Sequence, residues 1–276
     1  MNWTGIRIMK ISFIGGGVMA EALIKGILEA GIAAPSSIKV GEPDKDRRNH
    51  LAEEHCIEVA SVNADAMNGS DLVVLSVKPQ IIQPVMKELQ SQVQLEQTVM
   101  SIVAGAKIST LIDGLSHPSI VRVMPNTPAQ IGAGMTVWTT SNDVQDTAKS
   151  VVRDILTTLG KEIYVNDEKL LDAATALSAS GPAYVFLFIE ALIDAGVYMG
   201  MQRDVARELV LQTVSGSTRL VEDSGLHPGH LKDMVSSPGG GTVEALKSFE
   251  KSGFRGAVLE AVNSAYKKYQ ELGDSD

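Results

Sequence analysis

Three consecutive glycines occur twice in this chain, as Gly15–Gly17 in ISFIGGGVMAEAL and as Gly239–Gly241 in SSPGGGTVEAL. Glycine inside a helix costs roughly 1 kcal/mol relative to alanine, so a triplet just before a helical run needs a reason of its own. Anion binding is one such reason. The start of a helix carries unpaired N–H groups and a partial positive charge, and backbone without side chains lets an anion come close. The first triplet fits a strand, then G-x-G-x-x-A, then a helix. Gly15 permits the tight turn, Gly17 lets the backbone approach a pyrophosphate, and Ala20 is small enough for the helix to pack on a sheet. The chemistry implied is binding of a dinucleotide and hydride transfer. The second triplet follows Pro238 and precedes the hydroxyl of Thr242; read alone, it is either a second anion loop or a plain connection between helices.

Other residues extend the dinucleotide reading. Glu42, in IKVGEPDKDRR, falls at the end of the second strand-like run. A carboxylate there accepts from a ribose hydroxyl and repels a 2′-phosphate, which favours NAD. Arg47 and Arg48 follow closely and could serve a 2′-phosphate, so the choice between NAD and NADP stays open. Lys78, in SVKPQ, falls at the carboxyl end of the fourth strand, the edge at which open α/β sheets bind ligands. The five histidines give no clear general base. His50 and His55 fall on or after a charged helix, His117 precedes Pro118 in a turn, and His227 and His230 flank HPGH; surface or capping roles are expected for all of them. Cys56 is expected to enter a buried strand. No cluster has metal-ligand spacing, so no metal is expected, and no Ser-His-Asp arrangement is supported.

These residues need a particular frame. KISFIG, IKVGE, Ile57 to Ala60, DLVVLSVKP, TVMSIVAG, SIVRVMP, Ala133 to Trp138 and Glu162 to Val165 read as strands. Helical stretches lie between them, including Val18 to Ala30, Lys45 to Glu54, and Val144 to Leu159 with Asp143 as N-cap. Continuous apolar strands alternating with helices imply a parallel, doubly wound sheet. From about Asp167 the strands stop. Pro182 to Met199 is apolar on most faces, so it belongs in a core or in a subunit interface. The fold class expected is α/β, with an N-terminal Rossmann-type doubly wound sheet over residues 1–166 and an all-α C-terminal dimerisation domain over residues 167–276.

Composition narrows the partners. The 276 residues are 44% hydrophobic, enough for two cores, and the net charge of −9 comes with no basic stripe. Neither nucleic acid nor an anionic membrane surface is an expected partner. Aromatic residues are only 4% of the chain, too few for a base-stacking platform. No apolar run is read as long enough to span a bilayer. The single cysteine rules out an internal disulfide and fits a cytoplasmic location. Residues 1–8 read as a short extension ahead of the first strand.

The segments FIGGGVMAEAL, SVKPQ, VRVMPNTPA, LSASGPAYVFLFIEAL, HPGHLKDMVSSPGGGTVEAL and GFRGAVLEAV together resemble the pyrroline-5-carboxylate reductases, across residues 11 to about 262. The long segment around the second triplet is the specific one. The resemblance implies reduction of the cyclic imine 1-pyrroline-5-carboxylate to L-proline with NADH or NADPH, the last step of proline biosynthesis. It also implies an interleaved homodimer, which in some members builds decamers. Carried over residue by residue, Gly15, Gly17, Val18 and Met19 would lie under the coenzyme pyrophosphate. Many relatives have Asn where this chain has Val18, so a side-chain contact there is in doubt while the backbone contacts remain. Val77, Lys78 and Pro79 would run along the ribose and nicotinamide, and Ala104, Gly105, Asn126 and Thr127 would border the nicotinamide. Ser237, Gly240, Gly241 and Thr242 match the substrate loop. There the glycines would cradle the substrate carboxylate, and Thr242 would be the catalytic hydroxyl on the ring nitrogen. No catalytic glutamate carries over, because the place where some relatives have one falls near Gly225.

Two other readings compete. A β-hydroxy-acid dehydrogenase shares the two-domain plan but needs a lysine facing the nicotinamide, and SASGPAYVFLFIEAL has none. A non-catalytic NAD(P)-sensing module would keep the Gly15–Gly17 turn and need no second anion loop.

Overall fold

The computed structural model describes residues 9–274; the extension expected over residues 1–8 lies outside the described residues. Residue contacts divide the chain into two units. The first runs up to Ser180 and takes in the segment from Ala265 onward; the second is Gly181–Ser264.

The first unit is built on eight strands: β1 (Ile11–Ile14), β2 (Ile38–Gly41), β3 (Glu58–Ala60), β4 (Leu72–Leu75), β5 (Thr98–Ser101), β6 (Ile120–Met124), β7 (Gly134–Thr140) and β8 (Gly160–Tyr164). Their order across the sheet is β3-β2-β1-β4-β5-β6-β7-β8. β1 pairs in parallel with β2 on one side and β4 on the other, so the chain reverses its direction of travel across the sheet at β1. Every residue of β1, β4 and β5 is buried, as in a sheet covered on both faces.

Helices supply the two covers. On one face, α1 (Val18–Glu29) contributes Leu23, Ile24 and Ile27, α2 (Lys45–His55) contributes Leu51, and a later helix over Asp146–Thr157 contributes Val152, Ile155 and Leu156. On the other face, α3 (Asn63–Met67), α4 (Ile82–Leu89) and α5 (Ile108–Leu115) pack Met67, Ile82, Met86, Leu111 and Leu115 against Ile14, Val73, Leu75 and Val99. The helix over Asp146–Thr157 is α6. It begins after Gln145 with no side-chain cap, so Asp143 is not the N-cap that the sequence suggests.

The sheet is parallel only as far as β6. β7 pairs antiparallel with β6, and β8 pairs parallel with β7, so the last two strands run against the rest. Residues 125–133, which join β6 to β7, are too few for a parallel crossover, which takes about a dozen residues or more. They form a 3-10 turn, Thr127–Ile131, and the chain simply returns.

α7 (Glu168–Ala174) is bound to this sheet by charge. Arg122 on β6 is fully buried, and its Nη1 donates to Glu168 Oε1 and its Nη2 to Asp172 Oδ1, each at 2.7 Å. The backbone N–H of Ile108 donates to the same Glu168 oxygen at 2.8 Å. Leu171 is buried beside Met124 and Val137. A π-helical turn, Thr175–Ala179, then leads into α8 (Gly181–Tyr198).

The second unit comprises α8, α9 (Arg203–Ser224), α10 (Pro228–Met234), α11 (Gly241–Lys251) and the beginning of α12 (Phe254–Asp274). α8 and α9 approach so closely that a Cβ on Gly196 would lie 2.7 Å from the Cβ of Ala206. Phe188, Phe249 and Phe254 form a small ring cluster. The apolar faces of α8 are not covered by this packing: Gly196 is its one buried residue, and Phe186 and Leu187 are 60% and 67% exposed. Within its own unit, therefore, α8 is not a core helix.

Three sequence expectations change here. By length and composition one helical run, Glu168–Tyr198, is long and apolar enough to cross a membrane, with a mean hydropathy of 1.6 in its most apolar stretch. The sequence reading gives two helices, Lys169 to Leu177 and Pro182 to Met199, but the π turn Thr175–Ala179 joins them into one run. Cys56 is exposed and closes α2 in the left-handed region, at φ 55°, instead of entering a strand. His117 is buried, and its Nε2–H donates to the carbonyl of Gln97 at 2.8 Å.

Burial holds the His117 pKa below its ordinary 6.5, against the opposing pull of that hydrogen bond. Below that ordinary value the unfolded chain takes up a proton that the folded chain refuses. The stability secured by His117 is thus complete above its ordinary pKa and is lost as the pH falls below it. His117→Gln should lose less stability than the wild type between about pH 7.5 and about pH 5.5, as read by urea denaturation at each pH. In the same assay Arg122→Ala, which strands two carboxylates, should cost about 3–5 kcal/mol.

Candidate active site

The loop after β1 is shaped by contacts only glycine allows. Gly15 has φ +97°, its N–H donates to the Gly41 carbonyl, and a Cβ on it would sit 2.9 Å from the carbonyl oxygen of Ser76. The Ser76 hydroxyl donates in turn to the Gly15 carbonyl at 2.7 Å and steadies the turn from β4. Gly17 is different. It is extended, it is the N-cap of α1 without any side-chain cap, and a Cβ on it would meet nothing within 4 Å. The free donors of α1 therefore open on unfilled space beside backbone that has no side chain. Val18 is exposed and Met19 packs against the core, so the first two residues of α1 offer N–H groups and no polar side chain.

The end of β2 closes on this loop. Glu42 Oε2 accepts from Gly16 N at 2.8 Å, and its Oε1 accepts from Asp44 N at 2.9 Å. Arg47 donates from Nε to the Gly16 carbonyl and from Nη2 to Glu21 Oε2 at 2.6 Å. Arg48 donates to the carbonyls of Glu42 and Pro43. Glu21, in the first turn of α1, also accepts from Nε2 of His50 and of His55 on its other oxygen. Burial raises the pKa of Glu21, but the hydrogen bonds from Arg47, His50 and His55 outweigh it and bring the value to about 2. The sequence reading places both histidines on the surface and passes over Glu21. A glutamate at N4 of a helix looks like ordinary first-turn charge until α2 brings its bases across.

The remaining candidates gather at the carboxyl edge of the parallel strands, where β1 and β4 part. Val77, Lys78 and Pro79 follow β4, with Lys78 exposed. Ala104 and Gly105 form a turn after β5, with Gly105 buried at φ 82°. Asn126 and Thr127 follow β6. The Asn126 side chain is committed to the protein: Oδ1 accepts from Met135 N at 2.9 Å, and Nδ2 donates to the Ser178 carbonyl at 3.2 Å. It therefore ties β7 and the π turn together. A cleft lined by Asp71, Gln97, Thr98, Ser119, Asp143 and Thr147 lies at the opposite, amino-terminal edge and holds none of these residues.

In the second unit the other glycine triplet repeats the pattern of the first. His227 caps α10 by accepting from Gly229 N, a capping role of the kind expected for it. After Ser237, Gly239 turns at φ 71°, and Gly240 is the extended N-cap of α11 with no side-chain cap. A Cβ on Gly239 or Gly241 would meet nothing within 4 Å. Thr242 stands exposed in the first helical turn, and Ser237 is exposed at the start of the loop.

A doubly wound sheet with an open glycine turn at its switch point, followed by helices with uncovered apolar faces, defines a Rossmann-type oxidoreductase with a helical association domain. Comparisons with known proteins agree unit by unit. Residues 10–105 match a family described as NADP oxidoreductase, coenzyme F420-dependent, and residues 168–272 match the pyrroline-5-carboxylate reductase dimerisation family. Over the whole length, the chain is 41% identical to a pyrroline-5-carboxylate reductase of Synechocystis, covering 96% of this chain and 98% of that one. It is 39% identical to the Escherichia coli enzyme, covering 96% and 99%. The crystal structure of a Plasmodium falciparum pyrroline carboxylate reductase with NADP bound superposes with a TM-score of 0.88 at 36% identity, over 98% of this chain and 100% of that one. The chain belongs to the pyrroline-5-carboxylate reductase family.

The strain at Gly15 gives a direct check on the first loop. Gly15→Ala should cost about 2 kcal/mol or more, since it adds a left-handed non-glycine residue and a contact under 3 Å. Gly17→Ala, in open space and at an extended φ, should cost far less in the same chemical denaturation.

Proposed function

We propose that this chain reduces 1-pyrroline-5-carboxylate to L-proline with NADH or NADPH. The observation that carries this reading is the second glycine loop. It pairs a glycine N-cap that has no side-chain cap with the hydroxyl of Thr242, an arrangement suited to a small anionic substrate.

The nicotinamide coenzyme, when bound, supplies the hydride. Residues of the chain do the rest. The first N–H groups of α1, at Val18 and Met19, bind the pyrophosphate past the bare backbone of Gly15 and Gly17. Glu42 faces the adenosine ribose. Val77, Lys78 and Pro79, Ala104 and Gly105, and Asn126 and Thr127 form the edge against which the ribose and nicotinamide lie. Ser237 and the N–H groups of Gly240 and Gly241 bind the substrate carboxylate, helped by the positive end of α11. Thr242 Oγ1 meets the ring nitrogen and holds its proton as the imine becomes an amine. An iminium is electrophilic and already carries the proton that the amine keeps, so hydride transfer to it needs no strong general acid from the chain. Most of the acceleration comes from orientation.

The assembly proposed is a homodimer formed through the uncovered faces of α8, with decamers built from such dimers. A second copy, and not lipid, is the cover proposed for that helix, and the location proposed is the cytoplasm. Nucleic acid is no partner in this reading, since the net charge of −9 disfavours a polyanion.

Loss of reduced-coenzyme absorbance on adding pyrroline-5-carboxylate, with proline as product, tests the reaction; no loss with either coenzyme overturns it. Thr242→Ala should lower turnover at least about tenfold, on the order of 1.4 kcal/mol of barrier. Unchanged steady-state kinetics would remove Thr242 from the mechanism. Light scattering at micromolar concentration should give at least a dimer mass.

A further inference from the structure

The two coenzymes differ by one phosphate, on the 2′ oxygen of the adenosine ribose, which lies near the end of β2 in this type of fold. A 2′-phosphate is bound by free N–H donors and an uncommitted cation. Around the end of β2 several N–H donors and both arginines are already in use, which leaves Lys45 as an exposed cation at the start of α2. The N–H groups of Gly16 and Asp44 donate to the Glu42 carboxylate, and the N–H of Arg47 donates to the Asp44 carboxylate at 2.7 Å. Two carboxylates of the chain thus occupy donors that a phosphate would seek. Arg48 is turned back onto the carbonyls of its own turn.

Arg47 is the cation best placed to change this, and Glu21 is what restrains it. The guanidinium lies between the Gly16 carbonyl and Glu21 Oε2, about three-quarters buried on its side chain, as is Glu21. His50 and His55 hold the other Glu21 oxygen, at 2.8 Å and 3.2 Å, so the carboxylate cannot swing away. Glu21 also lies in the first turn of α1, where the helix dipole favours its charge. A bidentate hold on a 2′-phosphate would require Arg47 to leave this carboxylate.

We propose that Glu21 is a positioning residue for coenzyme choice: it pins and neutralises Arg47, leaving the Glu42 carboxylate to set the field at the ribose, so that the chain takes NADH in preference to NADPH. This rests on the reading that the Gly15–Met19 turn holds the coenzyme. Glu21 touches neither nucleotide; it acts through Arg47.

Calorimetric titration with NAD+ and with NADP+ tests this without turnover. The wild type should bind NAD+ more tightly. Glu21→Gln should shift the ratio of the two dissociation constants toward NADP+ by about tenfold, the scale of one freed charge at a partly buried site. Arg47→Ala should leave the ratio near that of the wild type, and adding Glu21→Gln to Arg47→Ala should then shift nothing further. Glu21→Asp, which keeps the charge but shortens the reach, serves if the glutamine variant does not fold; it should shift the ratio in the same direction by a smaller factor. A wild type that prefers NADP+, an unchanged ratio in the Glu21 variants, or an equal shift with Arg47 absent would overturn the proposal. If neither nucleotide binds, the coenzyme reading itself falls, and this inference with it.

Discussion

A helix that begins without a side-chain cap leaves its first N–H groups short of partners. α2 and α7 meet this constraint with Asp44 and Asp167, and α10 meets it with His227. α1 and α11 open instead on glycine N-caps with no side-chain acceptor. α3, α4, α5, α6 and α9 also start without a side-chain cap, on Val62, Ile81, Lys107, Gln145 and Gln202, so glycine at the cap is what sets α1 and α11 apart. Each has an extended glycine at the N-cap and a glycine at positive φ two residues before the cap or immediately before it, with open space for a Cβ at Gly17, Gly239 and Gly241 but not at Gly15, Gly16 or Gly240. In the proposed reading this one device serves the coenzyme in the first unit and the substrate in the second.

The rest of the first unit exists to hold the first of these sites still. Fully buried β1, β4 and β5 fix the carboxyl edge of the sheet, and Ser76 ties the end of β4 to the glycine turn. Glu42 and Arg47 brace Gly16 from opposite sides, one accepting from its N–H and the other donating to its carbonyl. Asn126 and Arg122 do similar work further along the sheet, Asn126 on neighbouring backbone and Arg122 through its two Nη atoms on carboxylates. Several side chains that look reactive in the sequence are therefore structural.

Local features were legible in the sequence because their causes are local. Gly15 and Gly17 announce a turn and an open helix start by side-chain absence alone, and the alternation of apolar strands with helices follows from burial on both faces. The features that escaped depend on partners distant in the chain. The reversal of β7 is set by the shortness of residues 125–133, which composition does not display. Arg122 is a buried cation only because Glu168 and Asp172 reach it from α7. His117 looks like a turn residue until Gln97 covers it, and Glu21 is an ordinary first-turn acid until α2 delivers Arg47, His50 and His55. The apolar character of α8 was plain, but that its own chain leaves it uncovered is a fact of packing.

The central claim is that the second glycine loop recognises the substrate by its carboxylate. The most direct measurement compares pyrroline-5-carboxylate with 1-pyrroline, the same cyclic imine without the carboxylate, as substrates at saturating coenzyme. The account predicts that kcat/KM falls by at least about a hundredfold for 1-pyrroline, the value of one to two charge-assisted hydrogen bonds at a helix start. Equal efficiency for the two imines would contradict it and return Gly239–Gly241 to a plain inter-helix loop.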